Sequence, residues 1–244
     1  MAACARDEAS APHRPELALE LRPAAQAIDE RRFEEAREVA QAYLAEHPDD
    51  AQALFLLGMS HALTDNHGAA RPYLEAALER APDFDLAWEP LAKTRFLLGD
   101  LAGARAAYAE FARRVPGDPK GPHGIGLVDL EESRLADAGV HFRKALKLFD
   151  ALERDDPRQA TVRLGERSES HARLGEVLFA KEDLAGARRE LLRAVVLSAG
   201  NLSALYTLSL VHRRLGETEL ADVAADRYER ARLALLAEQG SAAR

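Results

Sequence analysis

Residues 88–116 carry the sequence WEPLAKTRFLLGDLAGARAAYAEFARRVP, and this stretch decides the fold. It predicts two helices joined by a short turn, with the small residue Ala104 at the start of the second helix and Pro116 closing the unit. Small residues at fixed places let two helices approach backbone to backbone, while larger ones such as Tyr108 and Phe111 fill the gaps. The stretch therefore predicts a helical hairpin.

Alanine recurs at a fixed interval on both sides of Ala104, which predicts an internal repeat. The interval is 34 residues, apart from one step of 49. The pentapeptide Leu-Ala-Gly-Ala-Arg occurs at 101–105 and again at 184–188, and its separation of 83 residues contains the same 15-residue insertion. The markers of the six repeats are Ala36, Ala70, Ala104, Ala138, Ala187 and Ala221.

The 34-residue period, with its small, aromatic and proline positions, resembles the tetratricopeptide repeat. The closest copy runs from Trp88-x2-Leu91-Ala92 to Pro116, and residues 54–82 are nearly as close. The resemblance covers residues 17–234 and implies an all-α fold, a right-handed superhelical solenoid of about six helix-turn-helix repeats. It is specific for fold and says little about function.

The repeat frame also predicts the organisation of the chain. Residues 1–15 are expected to be a disordered tether, and residues 235–244 to hold the end of a capping helix, near Gly240, and a disordered tail. The insertion falls within 146–167, where an acidic cap followed by Pro157 favours an extended helical hairpin over a loose surface loop. The predicted repeats span 17–50, 51–84, 85–118, 119–157, 158–201 and 202–234.

The charge of the chain is acidic and unevenly distributed. The formal net charge is −8, and residues 1–118 carry 13 Lys+Arg against 21 Asp+Glu, whereas residues 119–244 carry 20 of each. This balance argues against nucleic acid as the main partner. The amino-terminal half is the better face for a basic partner, unless its acids only form a solvated surface. No apolar run approaches the roughly 20 residues of a transmembrane segment.

The single cysteine, Cys4, cannot form an intrachain disulfide. Met1-Ala2-Ala3-Cys4 and the polar residues after it resemble the end of a bacterial lipoprotein signal, which would make Cys4 a lipidation site. The charged and apolar regions of a signal peptide are missing, so either the signal has been removed or Ala-Ala-Cys arose by chance. The protein is accordingly expected to be a periplasmic, membrane-anchored lipoprotein or a cytoplasmic protein.

No catalytic constellation stands out in the sequence. No His-x3-His, Cys-x2-Cys or His-Glu-x2-His spacing occurs, so no metal site is predicted, and no cofactor-binding motif is complete. His61 and His212 share a packing position of the repeat, and His171 occupies the place of Trp88. We therefore expect core histidines with satisfied nitrogens rather than catalytic ones.

The tetratricopeptide resemblance implies that the first helix of each repeat lines a concave peptide-binding groove. Aromatic and methionine side chains along such a surface suit an extended apolar or amphipathic peptide, although some of these positions are also expected to complete the core. The Lys/Arg/Asn clamp by which some family members bind chaperone tails is absent, since Ala25, Met59 and Lys93 stand at its positions. The groove positions are Phe55, Met59, Glu89, Lys93, Phe96, His123, Leu127, Leu130, Glu176, Phe179, Tyr206, Leu210 and Arg213.

The sequence as a whole favours a non-catalytic scaffold that binds a protein or peptide in a bacterial multiprotein assembly. Two alternatives stay open: a self-associating structural module, and a regulatory subunit of an enzyme complex. A free-standing enzyme would need a polar pocket with convergent titratable groups, which the frame does not supply. The oligomeric state and the partner are not encoded in any motif.

Overall fold

The computed structural model describes residues 12–242, with side chains up to residue 238, and in this range every regular element is helical. Two short 3-10 turns, Leu19–Leu21 and Asp85–Ala87, precede the first and fifth helices. The helices are α1 (Arg22–Asp29), α2 (Phe33–Glu46), α3 (Ala51–Ala62), α4 (His67–Arg80), α5 (Trp88–Leu97), α6 (Leu101–Arg114), α7 (Lys120–Glu131), α8 (Leu135–Asp155), α9 (Pro157–Val162), α10 (Leu164–Ala180), α11 (Leu184–Leu197), α12 (Leu202–Arg214) and α13 (Thr218–Ala242).

The chain divides into two compact units, residues 1–124 and 125–244. In the first unit α1 packs on α2, α3 on α4 and α5 on α6, and each pair also contacts the next through α2 on α3 and α4 on α5. In the second unit α10 packs on α11 and α12 on α13, with α8 against α10 and α11 against α12. The expected all-α fold of tetratricopeptide type is confirmed, and within each unit the helices pack as neighbour-on-neighbour pairs.

The six marker alanines lie in the buried part of this packing. Ala36, Ala70, Ala104, Ala138, Ala187 and Ala221 are all fully buried, each near the start of a second helix. Opposite them the first helices carry Gly58, Gly126 and Gly175, where an added Cβ would lie within 3 Å of a buried side chain on the paired helix. Helices this close need small residues at the contact, which explains the period seen in the sequence.

Every corner between the two helices of a pair is built in the same way. One residue there has a positive φ, between 57° and 79°, and only two of the six are glycine. A left-handed residue lets the chain reverse within a few residues. The six corner residues lie five positions before each marker alanine and are Arg31, Asp65, Gly99, Ser133, Glu182 and Gly216.

Side-chain caps start many of the helices. Asp50, Asp100, Asp183 and Asn201 each accept a hydrogen bond from the backbone N–H three residues ahead, at 2.8–2.9 Å, and Asn66 does so at 3.3 Å. These bonds satisfy an N–H group that has no partner within the helix.

The 15-residue insertion is helical in the structure. α8 has 21 residues, against 14 in α2, α4, α6 and α11, and α10 has 17. Asp156 caps the short helix α9 by accepting from the backbone N–H groups of Arg158 and Gln159, each at 3.2 Å, and Pro157 is its first residue. Helix α8 therefore runs about two turns longer than α2, α4, α6 and α11.

The two ends of the chain are described only in part. Cys4 and most of the predicted tether lie outside the described residues. Residues 12–15 of that tether instead contact the first unit, through bonds described below. At the other end α13 continues to Ala242, within the 235–244 range in which its end was expected.

Candidate functional site

The groove positions of the first unit lie on the first helices of their pairs and are at least partly exposed. Phe55 and Met59 are on α3, and Glu89, Lys93 and Phe96 are on α5. His123, on α7, is likewise half-buried. Phe55 also packs against buried Phe84, with ring centroids 4.7 Å apart, so it serves the core as well as the surface.

The groove positions of the second unit share this partial exposure. Leu127 and Leu130 pack against the cluster formed by α8 and α10, and Phe179 packs against the cluster formed by α10, α11 and α12. Tyr206 is 53% exposed and lies 5.7 Å from the ring of Tyr228. The remaining positions of this unit are Glu176, Leu210 and Arg213, of which Arg213 is exposed.

Phe55 and Met59 line a cavity of about 530 Å³ in the first unit. Its walls come from α1, α3 and the segment before α5, and include Ala25, Ile28 and Gln52. Glu89, Lys93, Phe96 and His123 do not line it. The structure therefore brings two of the six groove positions of this unit into one concave pocket.

The fourth wall of this cavity is formed by residues 14–17, which belong to the amino-terminal segment 12–18 that we call the strap. The backbone N–H of His13 donates to the Asp85 carboxylate at 2.7 Å, and the backbone N–H of Asp85 donates to the His13 carbonyl at 2.9 Å. The side-chain amide of Gln52 donates to the carbonyl of Pro15. The backbone of the strap is thus held at two points.

Asp85 is itself fixed by a charged network. Arg114 donates to its other carboxylate oxygen at 3.1 Å and also donates to the Glu110 carboxylate at 2.6 Å. The Arg114 guanidinium also lies over the Trp88 ring, 5.6 Å from its centre. Asp85 is therefore pre-positioned to receive the strap.

A second cavity, of about 870 Å³, lies in the second unit between α8, α10 and α11. Its lining is apolar at Leu146, Leu174 and Leu178, and its edge carries the exposed side chains Leu192 and Val196. The sequence analysis missed this cavity; the only signal for it was the apolar pair at 192 and 196, one helical turn apart on α11.

His171 and Glu190 form a buried pair in the lining of this second cavity. His171 Nδ1 lies 2.8 Å from the Glu190 carboxylate, and Arg193 donates to the same carboxylate at 2.9 Å. Burial alone would raise the pKa of Glu190, but the hydrogen bond from His171 and the charge of Arg193 outweigh it and hold that pKa below its ordinary value. The expected core role of His171 with a satisfied nitrogen agrees with this geometry.

The other two histidines of the repeat frame behave differently from each other. His212 is buried, and its Nδ1 lies 2.5 Å from the Glu217 carboxylate. His61 is only half-buried and stacks on Tyr73, with ring centroids 5.7 Å apart. Burial is the main cause that lowers the pKa of His61.

Within the described residues, no helix is both long and apolar enough to cross a membrane. Nor does that part of the chain contain a cluster of three or more His, Cys, Asp or Glu side chains that could hold a metal ion. In the second cavity His171 and Arg193 are paired with Glu190, and Arg167 is paired with Asp150 and Glu153.

Comparison with a family model identifies repeats directly. Residues 24–83 and 64–119 match the tetratricopeptide repeat model. Among curated proteins no sequence matches.

Several solved structures share the fold. PilF of Pseudomonas aeruginosa aligns with a TM-score of 0.70 and 14% identity, over 86% of this chain and 89% of that one. The APC/C hetero-tetramer Cut9–Hcn1 aligns with a TM-score of 0.68 and 19% identity, over 86% of this chain and 42% of that one. YrrB, a tetratricopeptide protein with an unusual peptide-binding site, aligns with a TM-score of 0.56 and 16% identity, over 84% and 100%. At such identities the likeness is one of fold.

Proposed function

We propose that this chain, an all-α protein built of tetratricopeptide-type helix pairs, is a non-catalytic scaffold that binds a peptide or protein through the exposed positions of its first helices. Tetratricopeptide repeats generally mediate protein–protein contacts, and the binding groove is assigned here from the repeat frame. One observation carries the proposal: all thirteen groove positions are at least partly exposed, and they include Phe55, Met59, Phe96, Phe179 and Tyr206. Accessible aromatic and methionine side chains are the anchors that peptide ligands use.

The assembly in which the scaffold works is proposed to be bacterial. A lipid anchor at Cys4 would place it at a membrane surface in the periplasm; without that modification it would work in the cytoplasm. Mass spectrometry of the protein purified from its host would decide between the two, because a lipidated Cys4 carries a large added mass.

A capture experiment from the native host tests the groove. The wild-type protein is compared with the double variant Phe96→Glu, Tyr206→Glu, which places one carboxylate among the groove positions of each unit. The matched control is Leu63→Glu, Val140→Glu, because these side chains are also exposed and apolar, at 46% and 59%, but lie outside the groove positions. Circular dichroism verifies the fold of each variant.

We expect the wild type and the control to retain the same partner and the groove variant to lose it. If the groove variant retains the partner, the first-helix positions are not the binding surface. If the control variant also loses the partner, the binding surface is not confined to the groove positions and includes the second helices or the corners.

Self-association is the second candidate function, and one observation favours it. Helix α13 has 25 residues, about twice the 13 of its partner α12. Near its end Leu233, Leu235 and Leu236 are 59%, 43% and 51% exposed. Light scattering over a range of concentrations tests it: a dimer that Leu233→Glu, Leu236→Glu converts to monomer supports this candidate, and a monomer at every concentration excludes it.

A further inference from the structure

The strap occupies the first unit as a peptide ligand would. It has no regular secondary structure, and it runs from the segment before α5, where His13 is bound, to α3, where Pro15 is bound, before the chain enters α1. The residues that hold it lie 37 and 72 positions away along the chain. These contacts hold the strap against elements that are far from it in sequence, as they would hold a separate peptide.

Most of the hydrogen bonds that hold the strap go to its backbone; the exception is the His13 ring, whose Nδ1 lies 2.9 Å from the Asp83 carbonyl. Asp85 satisfies both the N–H and the C=O of His13, and Gln52 binds the carbonyl two residues further on. Gln52 is 6% exposed, so its amide is a buried polar group whose hydrogen bond is supplied by the strap. Backbone recognition fixes the path of a peptide while leaving its outward side chains free to vary.

The composition of the strap matches this mode of binding. Pro12 and Pro15 restrict their own φ angles and bias the preceding residues toward extended backbone, which lowers the entropy lost on binding. His13, Arg14 and Glu16 stay exposed, whereas Pro15 and Leu17 are half-buried. Leu17 packs against the cluster formed by α1, α2 and α3.

The strap does not fill the site. The cavity of about 530 Å³ remains beneath residues 14–17, lined by Phe55 and Met59. A peptide that followed the path of the strap with a larger apolar side chain at this point would bury more apolar surface than the strap does.

From these observations we propose that the first unit recognises an extended, proline-containing peptide through Asp85 and Gln52, and that the strap occupies this site in cis and competes with such a peptide. The inference rests on the proposed scaffold function and names the ligand class and the regulation of its first unit. The apparent affinity for the peptide is the intrinsic affinity reduced by the fraction of molecules whose strap is released.

The test uses the full chain and a synthetic peptide with the sequence of residues 12–18, labelled for fluorescence polarisation. His13→Pro weakens the hold on the strap, because proline lacks both the N–H that Asp85 accepts and the ring nitrogen that contacts the Asp83 carbonyl. In that background Gln52→Leu removes a donor from the site, and Gln41→Leu is the matched control, since Gln41 is exposed on α2. Thermal melts establish that each variant is folded.

We expect His13→Pro to bind the peptide at least ten-fold more tightly than the wild type does. Adding Gln52→Leu should reverse that gain, and adding Gln41→Leu should leave it intact. Hydrogen exchange gives an independent readout, because the Asp85 amide donates to His13 and should exchange at least ten-fold faster in His13→Pro. Equal peptide affinity in the wild type and His13→Pro, or an unchanged Asp85 amide, overturns the proposal.

The two proposals fail in different ways. If the Phe96→Glu, Tyr206→Glu variant loses the host partner while His13→Pro leaves peptide binding unchanged, the strap proposal is wrong and the scaffold function stands. If the groove variant keeps the partner while His13→Pro binds the peptide ten-fold more tightly, the strap site stands and the wider groove is wrong.

Discussion

At the scale of single residues, the close approach of α10 and α11 makes a sharp prediction at Gly175. A Cβ added there would lie 2.6 Å from Leu191 Cγ and 2.7 Å from its Cδ2, and Leu191 is fully buried. Because that side chain has no free space to move into, we expect Gly175→Ala to lower the free energy of unfolding by about 1–3 kcal/mol. Urea denaturation measures this change.

The control for Gly175→Ala is available on the same helix. Gly165 has nothing within 4 Å of its built Cβ, so Gly165→Ala gains helix propensity without a clash. We expect it to be neutral or to stabilise by up to about 1 kcal/mol. Equal loss of stability in the two variants would contradict the close-packing explanation.

A second residue-scale prediction concerns acid stability at Glu110. The hydrogen bond from Arg113 is the main cause that lowers the pKa of Glu110 from 4.5 to about 2; partial burial opposes it, and Arg114 adds to it. A lowered folded-state pKa contributes stability above pH 4.5, which is lost as the pH falls toward 2. We expect Glu110→Gln to cost about 1 kcal/mol or less at pH 6 and nearly nothing at pH 2.

The measurement for Glu110 is the free energy of unfolding of both proteins by urea at a series of pH values. The difference between them should shrink steadily below pH 4.5. A difference that is the same at pH 6 and pH 2 would show that the carboxylate charge is not its source.

At the scale of elements, the positive φ angles of the corner residues lead us to predict a stabilising substitution. Ser133 has a φ of 59°, and an L-residue pays about 1–2 kcal/mol for this conformation, whereas glycine does not. After the entropy that glycine adds to the unfolded chain, we expect Ser133→Gly to stabilise by about 0.5–1 kcal/mol and to raise Tm by about 2 °C. Gly99→Ala, at φ 79°, should destabilise instead. A thermal melt that moved in the same direction for both would contradict this reading.

The elements themselves were largely predictable from the sequence, because their cause is local. The marker alanines are buried because each second helix must approach its partner at the same point, so burial follows spacing. Asp156 and Pro157 start a helix within the insertion by the same local rules that start helices elsewhere. Because the repeat occurs six times, the same sequence pattern supports the helix prediction at six places in the chain.

The strap, the corners and the second cavity were not predictable, for different physical reasons. The contact between His13 and Asp85 joins residues 72 positions apart, and no periodic pattern encodes it. The corner residues escape notice because four of the six are not glycine, so the usual signature of a positive φ is missing. The cavity between α8 and α11 exists because side chains on these helices do not contact one another. A sequence pattern predicts which positions are buried, but it does not predict where such a gap remains.

At the scale of the whole molecule, a chain of neighbour-on-neighbour contacts should lose stability locally. In such an array stability is roughly a sum of terms for each repeat and each adjacent pair, so a defect is felt most by the helices beside it. Within the second unit the direct neighbours of α10 are α8, α9, α11 and α12, whereas the main neighbours of α3 and α4 are α1, α2 and α5. We therefore expect Gly175→Ala to speed backbone hydrogen exchange in α10, α11 and α12 and to leave α3 and α4 close to their wild-type rates. Hydrogen exchange followed by mass spectrometry resolves these segments, with Gly165→Ala as the control that should change neither. Equal acceleration in α3, α4 and α11 would mean that the protein unfolds as one cooperative block, and the additive picture of its repeats would be wrong.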